Sequence, residues 1–339
     1  MTGRTLKNAA LSAGLLGLAL STSTSLAQVG FASKLPGKRP PSAAARAADR
    51  QARTPGSPSY TYTLLSFPGT LITYPGGINL GATTSKIQLT GGYGSGILAQ
   101  GGFLATVSGT KTVTETYKVL NDPHAPSDQL TTDVNDSGQI VGESIDSSGN
   151  YHGYELSGGK FTAINFPSST STLVLGINNS GEVIGFWGNA AGDQGSFTLI
   201  GGTYAALPNY SGAAPGQTFA VGINSAGDIV GWYNDPSGVS HGFLLSGGTY
   251  TSFDPPGSVS TFAEGINDAG DIVGGYCTSS ECVSNGDGGL GFVLSNGVYT
   301  SIVIPGEAYT TLDGINNNGV LFGNYEDAAG LVVSFLATP

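Results

Sequence analysis

Two acidic residues occupy the same position in consecutive copies of a repeated sequence. Glu264 and Asp313 each precede the Asn of a Gly-Ile-Asn triplet by three residues. If their strand is the innermost of its sheet, both carboxyl groups face a central channel, and Asp133 joins them from another copy. Such a group could hold a cation or a polar ligand. Glycoside hydrolysis also uses two acids, about 5 to 10 Å apart, one with a raised pKa. The pair is therefore the candidate ligand-binding site and the first pair to test for hydrolase activity, and no residue is assigned as catalytic.

The other reactive side chains are few. Cys277 and Cys282 are the two cysteines, five positions apart. In an exported chain such a pair within one inserted loop favours a local disulfide, whereas a redox or metal pair would be closer together. His152 and His241 share one repeat position, which favours a framework role in which they bond the backbone of a neighbouring repeat. The turn aspartates do not match the ligand spacing of a calcium loop. Neither a metal nor a cofactor is predicted.

Aromatic residues recur one or two positions after the last Gly of the repeat, as Trp187, Trp232, Tyr233, Tyr276 and Tyr325. A ladder of this kind could stack against sugar rings. Aromatic residues fixed by a repeat more often fill the gaps between packed sheets. Core packing is therefore the favoured interpretation.

These residues are set in a repeat that covers most of the chain. The eight residues from Asn135 to Gly142 return with their Asn at positions 178, 224, 267 and 316, at steps of 43, 46, 43 and 49 residues. A sixth, less regular copy begins at Gly77-Ile78-Asn79. Repeats of 40 to 50 residues are typical of propeller blades, whereas β-helix coils are much shorter.

Each repeat contains a tight turn. The Asn side chain can accept a hydrogen bond from the backbone two residues on, and the following Gly supplies a positive φ. The predicted turn residues are the pairs Asn135 and Gly138, Asn178 and Gly181, Asn224 and Gly227, Asn267 and Gly270, and Asn316 and Gly319. With the flanking β-branched and aromatic runs, one repeat reads as four strands.

The two ends of the repeat array complement one another. The last copy stops after Ser334-Phe335-Leu336 and lacks the Tyr-Thr…Pro-Gly strand, while the array opens with that strand, from Tyr62 to Gly69. Pairing of the first strand with the last copy would leave no open end. The sequence therefore predicts an all-β chain with one domain, residues 59–339, folded as a six-bladed β-propeller that its N-terminal strand closes.

The repeat resembles a known bacterial family. Gly-Ile-Asn-x-x-Gly-x-Ile-Val-Gly is followed about ten residues later by His152-Gly153-Tyr154 or His241-Gly242-Phe243-Leu244. This pattern is similar to the extracellular HAF repeats, clearly over residues 130–339 and weakly over residues 60–129. The resemblance implies export and a repeated architecture. It transfers no activity and no site residue.

The N-terminal segment has the order of a secretory signal peptide. Arg4 and Lys7 precede the apolar run from Ala9 to Leu20, and small residues end at Ala27. About 12 apolar residues are too few to span a bilayer, which needs roughly 20. Residues 1–27 are therefore predicted as a signal peptide. Residues 28–58, basic and rich in Ala and Pro, are predicted as a disordered linker.

The negative net charge of the chain excludes some classes of binding partner. The chain has a formal net charge of −11 and only 10% charged residues. An acidic body repels nucleic acid and anionic lipid. We expect a secreted or periplasmic monomer, without a membrane span in the mature chain, that acts as a non-catalytic binding or surface-associated module for a glycan or a cell-surface protein. The alternatives are a carbohydrate-active hydrolase or lyase that uses the channel carboxyls, and a purely structural envelope component.

Overall fold

The computed structural model describes residues 60–70, 72–81, 86–94, 101–108, 114–121, 129–280, 289–304, 309–326 and 332–339. The predicted signal peptide, residues 1–27, and the predicted linker, residues 28–58, lie outside the described residues, and so does Cys282. Within the described part, the regular structure consists of β-strands.

The strands follow one another along the chain in groups of four. The first strand and the first two blades comprise β1 (Thr61–Leu65), β2 (Ile72–Ile78), β3 (Lys86–Gly94), β4 (Gly101–Ser108), β5 (Thr114–Leu120), β6 (Gln129–Val134), β7 (Ile140–Ile145), β8 (Tyr151–Ser157) and β9 (Lys160–Ile164). Blades 3 and 4 comprise β10 (Ser171–Ile177), β11 (Val183–Gly188), β12 (Gln194–Ile200), β13 (Thr203–Ala206), β14 (Thr218–Ile223), β15 (Ile229–Asn234), β16 (Ser240–Ser246) and β17 (Thr249–Phe253). Blades 5 and 6 comprise β18 (Ser260–Ile266), β19 (Ile272–Cys277), β20 (Leu290–Ser295), β21 (Val298–Ile302), β22 (Tyr309–Ile315), β23 (Leu321–Glu326) and β24 (Val332–Thr338).

The topology is that of a six-bladed β-propeller. Six four-stranded sheets form, five of them from four consecutive strands and the sixth in the order β1-β24-β23-β22. All neighbouring strands within a sheet run antiparallel, and in the sixth sheet β1 pairs with β24 from Thr61 opposite Thr338 to Leu65 opposite Ser334. The predicted fold and its closure by the N-terminal strand are confirmed.

The first strand of each repeat is the innermost of its blade. The six innermost strands, β2, β6, β10, β14, β18 and β22, contact one another in sequence, and β22 contacts β2. Their backbones approach so closely that a Cβ at Gly265 would lie 2.8 Å from the Cα of Gly314. Between blades 5 and 6 the Gly of Gly-Ile-Asn is therefore required by the close packing of the innermost strands.

Each innermost strand carries a β-bulge one residue before that Gly position. A bulge adds one unpaired residue and increases the local twist. The residues at the bulges are Gly76, Thr132, Leu175, Val221, Glu264 and Asp313.

The repeat Asn both shapes its turn and joins two blades. Oδ1 of Asn178 accepts hydrogen bonds from the backbone N–H groups of Ser180 at 3.1 Å and Glu182 at 2.9 Å. Its Nδ2 donates to the carbonyl oxygen of Asn224 in the next blade at 3.2 Å. The same bond to the next blade is made by the repeat Asn at positions 135, 224 and 267. The Gly residues that follow have φ values of 71° to 82°.

A polar circle surrounds the axis at the same end of the ring. It is formed by the residues that follow the repeat Asn, which bond from blade to blade through Asp136, Asn179, Ser225, Asp268 and Asn317. Between blades 6 and 1 the bond is made by main-chain atoms, from the Asn317 N–H to the Leu80 carbonyl at 2.9 Å. The Gly81 N–H then donates to Asp136 at 2.8 Å and completes the circle.

The core lies between the blades. Each blade contributes fully buried aliphatic and aromatic side chains, among them Phe103, Phe197, Phe243, Phe292 and Phe335. Burial of one such side chain stabilises the fold by about 1.5 to 3 kcal/mol. This repeated packing, the bonds between successive repeat Asn residues and the polar circle hold neighbouring blades together.

Candidate functional site

Glu264 and Asp313 lie at the bulges of two adjacent innermost strands, β18 and β22. The Glu264 side chain is 6% exposed, and its Oε1 has no hydrogen-bond partner among the described residues. Asp313 accepts hydrogen bonds from Thr311 Oγ1 at 3.5 Å and from Asn324 Nδ2 at 2.5 Å. The structure therefore brings together the two carboxyl groups that the sequence selects.

Burial changes the charge of this pair. Desolvation raises the pKa of Glu264 well above its usual 4.5, and the negative charge of neighbouring Asp313 raises it further. Desolvation also raises the pKa of Asp313 to about 8, although its hydrogen bonds from Thr311 and Asn324 act in the opposite direction. Burial therefore favours the protonated, neutral form of both carboxyls.

Asp133 has contacts of its own, with blade 3. Its Oδ2 accepts a hydrogen bond from the Ile177 N–H of β10 at 2.9 Å, and its Oδ1 accepts one from the Val134 N–H at 2.8 Å. In the repeat Asp133 stands one position after the bulge residue Thr132, where other blades have Gly. Burial raises its pKa to about 7. The Asp133 carboxyl therefore connects blade 2 to blade 3, and it does not extend the pair formed by Glu264 and Asp313.

A polar network continues from the pair into the join between blades 6 and 1. Asn324 donates to Asp313, and the single proton of the Ser334 hydroxyl is shared between two acceptors, Asn324 Oδ1 at 2.8 Å and the carbonyl oxygen of Thr73. Ser334 lies on β24 and Thr73 on β2. The network thus connects Asp313 to three strands, β23, β24 and β2.

A buried carboxyl that the sequence analysis did not select lies in blade 2. Glu143, on β7, is 9% exposed, and its Oε2 has no partner within the described ranges. Desolvation raises its pKa to about 8. Alignment of the repeats could have identified it, because Phe186 and Trp232 hold the equivalent place after the last Gly of their copies.

The recurrent aromatic residues pack inside the protein. Trp232 is fully buried and contacts Phe219 and Phe262, with ring centroids 4.1 and 5.4 Å away. Tyr233 and Tyr276 are also buried. Trp187 and Tyr325 are only partly buried, and Trp187 lies at the edge of a pocket.

The pocket lies between the outer strands of blade 3 and the loop that leads to blade 4. Its volume is about 110 Å³, and its wall includes Trp187, Gln194, Gly195, Ser196, Asn209 and Thr218. Trp187 Nε1 is buried and has no hydrogen-bond partner in the described part of the chain. No spacing in the sequence marks this pocket, because residues 207–217 belong to a connecting loop.

The two histidines bond to aspartates of their own blades, so the expected bond to the backbone of a neighbouring repeat is not the one observed. His152 Nε2 lies 3.1 Å from Asp146 Oδ2, and His241 Nδ1 lies 2.8 Å from Asp254 Oδ2. Both aspartates lie in loops next to the strand that carries the histidine. A charged acceptor within reach forms a stronger hydrogen bond than a carbonyl group does.

The described residues contain no group of three or more His, Cys, Asp or Glu side chains placed to hold a metal ion. They also contain no helix long and apolar enough to cross a membrane. Cys277 ends β19 and is buried. Because its expected partner, Cys282, lies outside the described residues, the disulfide stays a prediction.

The strand order and the closed ring define the protein as a six-bladed β-propeller. No protein family matches the sequence, and no curated protein matches it. Among solved structures, TolB from Acinetobacter baumannii is 13% identical, with a TM-score of 0.47 over 78% of this chain and 63% of that chain. Trypanosoma rangeli sialidase is 9% identical, with a TM-score of 0.49 over 85% and 57%. The Aleuria aurantia lectin, described as a six-bladed propeller with a novel fucose recognition mode, is 9% identical, with a TM-score of 0.43 over 78% and 96%. These likenesses concern the fold alone.

Proposed function

We propose that this protein is an exported, non-catalytic binding module, secreted or periplasmic, whose ligand is a glycan or a cell-surface protein. The observation that carries the proposal is the pocket of about 110 Å³ beside Trp187, which lies on a closed ring and is lined by uncharged polar side chains and an indole. Pockets with a few fixed polar groups on a rigid scaffold are typical of ligand sites. The predicted signal peptide and the resemblance to HAF repeats support export.

A hydrolase or lyase is the second candidate, because the structure places Glu264 beside Asp313. Glycoside hydrolysis needs one ionised carboxylate opposite one protonated acid. Burial raises both pKa values of this pair, so desolvation disfavours the ionised carboxylate that the reaction needs. This arrangement favours binding over catalysis.

The purified protein should therefore bind saturably to members of a glycan array or to a protein captured in a pull-down from cell envelopes. Incubation with a panel of polysaccharides should release no reducing ends. Activity that is present in the wild type and lost in Glu264→Gln would favour the enzyme. Neither turnover nor saturable binding would leave the structural envelope component as the better interpretation.

A further inference from the structure

The repeat Asn residues do not bond all the junctions between neighbouring blades. At four junctions the Nδ2 group of one repeat Asn donates to the carbonyl oxygen of the next, at 3.0 to 3.3 Å. Between blades 1 and 2 the Nδ2 group of Asn79 donates to Asp136 Oδ1 at 3.1 Å. Between blades 6 and 1, Asn316 Nδ2 is buried and has no hydrogen-bond partner among the described residues. A buried donor without a partner costs free energy, so this junction is weaker at the repeat Asn than the other five.

The sequence of blade 6 shows what replaces the missing bond. In blades 2 to 5 the residue four positions after the repeat Asn has a side-chain acceptor for Nδ2, namely Gln139, Glu182, Asp228 and Asp271. Blade 6 has Val320 at this position. Val320 is fully buried in an apolar cluster that also contains Phe322 of blade 6 and Ile78 of blade 1. At this end of the ring, blades 6 and 1 are therefore joined mainly by apolar packing.

The innermost strands also pack less closely at this junction. A Cβ at Gly222 would lie 2.7 Å from the carbonyl oxygen of Glu264 in blade 5, and a Cβ at Gly265 would lie 2.8 Å from the Cα of Gly314 in blade 6. The three nearest neighbours of a Cβ at Gly314, out to 3.1 Å, all belong to Phe322 of its own blade. The close backbone contact that joins blades 4, 5 and 6 is therefore not repeated toward blade 1.

The remaining contacts between blades 6 and 1 have equivalents elsewhere and do not offset this difference. The Ser334 hydroxyl bonds to the Thr73 carbonyl oxygen, as the Ser196 hydroxyl bonds to the Thr218 carbonyl oxygen between blades 3 and 4. A stacked pair of aromatic rings lies at this junction, and another lies between blades 2 and 3. One connecting loop crosses each junction, here the loop that follows β1, so the loops do not distinguish the junctions.

Separation of two blades therefore has a different cost at this junction. At each of the other five junctions, separation breaks a bond made by a repeat Asn. Between blades 6 and 1 it breaks no such bond, and it brings Asn316 Nδ2 into contact with water, which supplies the acceptor that this donor lacks. Local opening of a folded protein is most frequent where it costs the least free energy.

We infer that the closed ring has one weak junction, between blades 6 and 1, and that these two blades separate there reversibly while the rest of the propeller stays folded. The pairing of β1 with β24 lies inside blade 6 and is kept during this opening. The opening is a conformational property of the ring that is independent of what the protein binds. In the open state the buried side chains of Val320 and Ile78 reach solvent.

Two matched cysteine variants test the opening directly. Val320 is fully buried between blades 6 and 1, and Val230 is fully buried in a cluster that contains Ala263 and Ile266 of blade 5. In Val320→Cys and Val230→Cys, the buried thiol can attack a bulky aromatic disulfide reagent only after the blades around it separate. Without denaturant, Val320→Cys should react about tenfold faster than Val230→Cys, the factor expected for one hydrogen bond. The wild-type chain gives the background from its own cysteines.

Hydrogen exchange tests the same point in the wild-type chain, so the result does not depend on how the cysteine variants fold. The Val320 N–H donates to Asn316 Oδ1 at 3.1 Å, and the equivalent Glu182 N–H donates to Asn178 Oδ1 at 2.9 Å. The two turns have the same hydrogen bonds and differ in the junction that they face. The amide protons of residues 316–320 should therefore exchange about tenfold faster than those of residues 178–182.

A pair of alanine variants checks the missing bond itself. Asn316→Ala and Asn178→Ala each remove two hydrogen bonds within a turn, but only Asn178→Ala also removes a bond to another blade. The midpoint of urea unfolding should therefore fall less in Asn316→Ala than in Asn178→Ala. Equal shifts of the midpoint would mean that Asn316 Nδ2 is bonded in solution. Equal exchange of the two turns, or equal labelling of the two cysteine variants, would mean that this junction opens no more readily than the others. Any of these three results overturns the inference.

Discussion

The protonated acid at position 313 should make the stability of the ring depend on pH. Burial raises the pKa of Asp313 from 3.8 to about 8 in the folded protein. Between these values the unfolded chain is ionised at this residue while the folded chain keeps the proton. The folded state therefore binds more protons, and the free energy of unfolding falls as the pH rises. The contribution of Asp313 to the free energy of unfolding is fully present below about pH 4 and is lost as the pH rises to about 8.

The size of the effect follows from the pKa difference. Each pH unit inside the window corresponds to about 1.4 kcal/mol, so the step from pH 5 to pH 7 corresponds to about 2.7 kcal/mol. Because Asp313 keeps some exposed surface, we expect about 2 kcal/mol. Asp313→Asn has a neutral amide of the same shape and can still accept from Asn324. From pH 5 to pH 7, the free energy of unfolding of Asp313→Asn should therefore fall by about 2 kcal/mol less than that of the wild type.

Urea unfolding at pH 5, 6 and 7, followed by tryptophan fluorescence and circular dichroism, measures this difference. Asp235→Asn is the control, because hydrogen bonds from Val239 and Ser237 lower the pKa of that exposed carboxyl. Asp235 is then ionised in both states above pH 5, and its variant should follow the wild type. Parallel curves for Asp313→Asn and the wild type would refute the assignment of a buried, protonated acid at position 313.

Three further predictions concern the ring itself. Deletion of residues 60–69 removes β1, so the melting transition should fall and lose cooperativity; an unchanged melting curve would mean that β1 does not close the ring. Asn178→Ala removes two turn hydrogen bonds and one bond between blades, and calorimetry should show a loss of about 2 to 4 kcal/mol. Gly265→Ala would place a methyl group 2.8 Å from the Cα of Gly314 and should destabilise the protein much more than Gly195→Ala; equal melting temperatures would contradict the tight packing of the innermost strands.

The architecture could be derived from the sequence because it depends on order along the chain. The steps between repeat Asn residues set the number of blades, and the segment Tyr62 to Gly69 supplies the strand that the last repeat lacks. Strand pairing inside a blade is sequential, so alternating short β runs and Gly turns determine it. Among the described strands, β1 and β24 are the one pair that is not consecutive in sequence, and the strand missing from the last repeat predicts this pair.

Contacts between blades could not be derived in this way. The turn role of Asn178 follows from its neighbours in sequence, but its bond to Asn224 depends on how closely two blades approach. Asp133 lies two residues before its repeat Asn and Glu264 lies three before, so the two side chains do not occupy equivalent positions, but the bond from Asp133 to the Ile177 N–H of the next blade is not visible in this spacing. The pocket at Trp187 depends on the course of a loop, which is set by backbone hydrogen bonds rather than by a repeated pattern.

The pairing of Thr61 with Thr338 places the two ends of the folded chain at one point on the rim of the ring. A tether attached at either end would pull on the same two strands, and a force applied between the ends would separate β1 from β24 one hydrogen-bond pair at a time. Mechanical load would thus open the ring at blade 6, between β1 and β24, while the five blades made of consecutive strands stay intact.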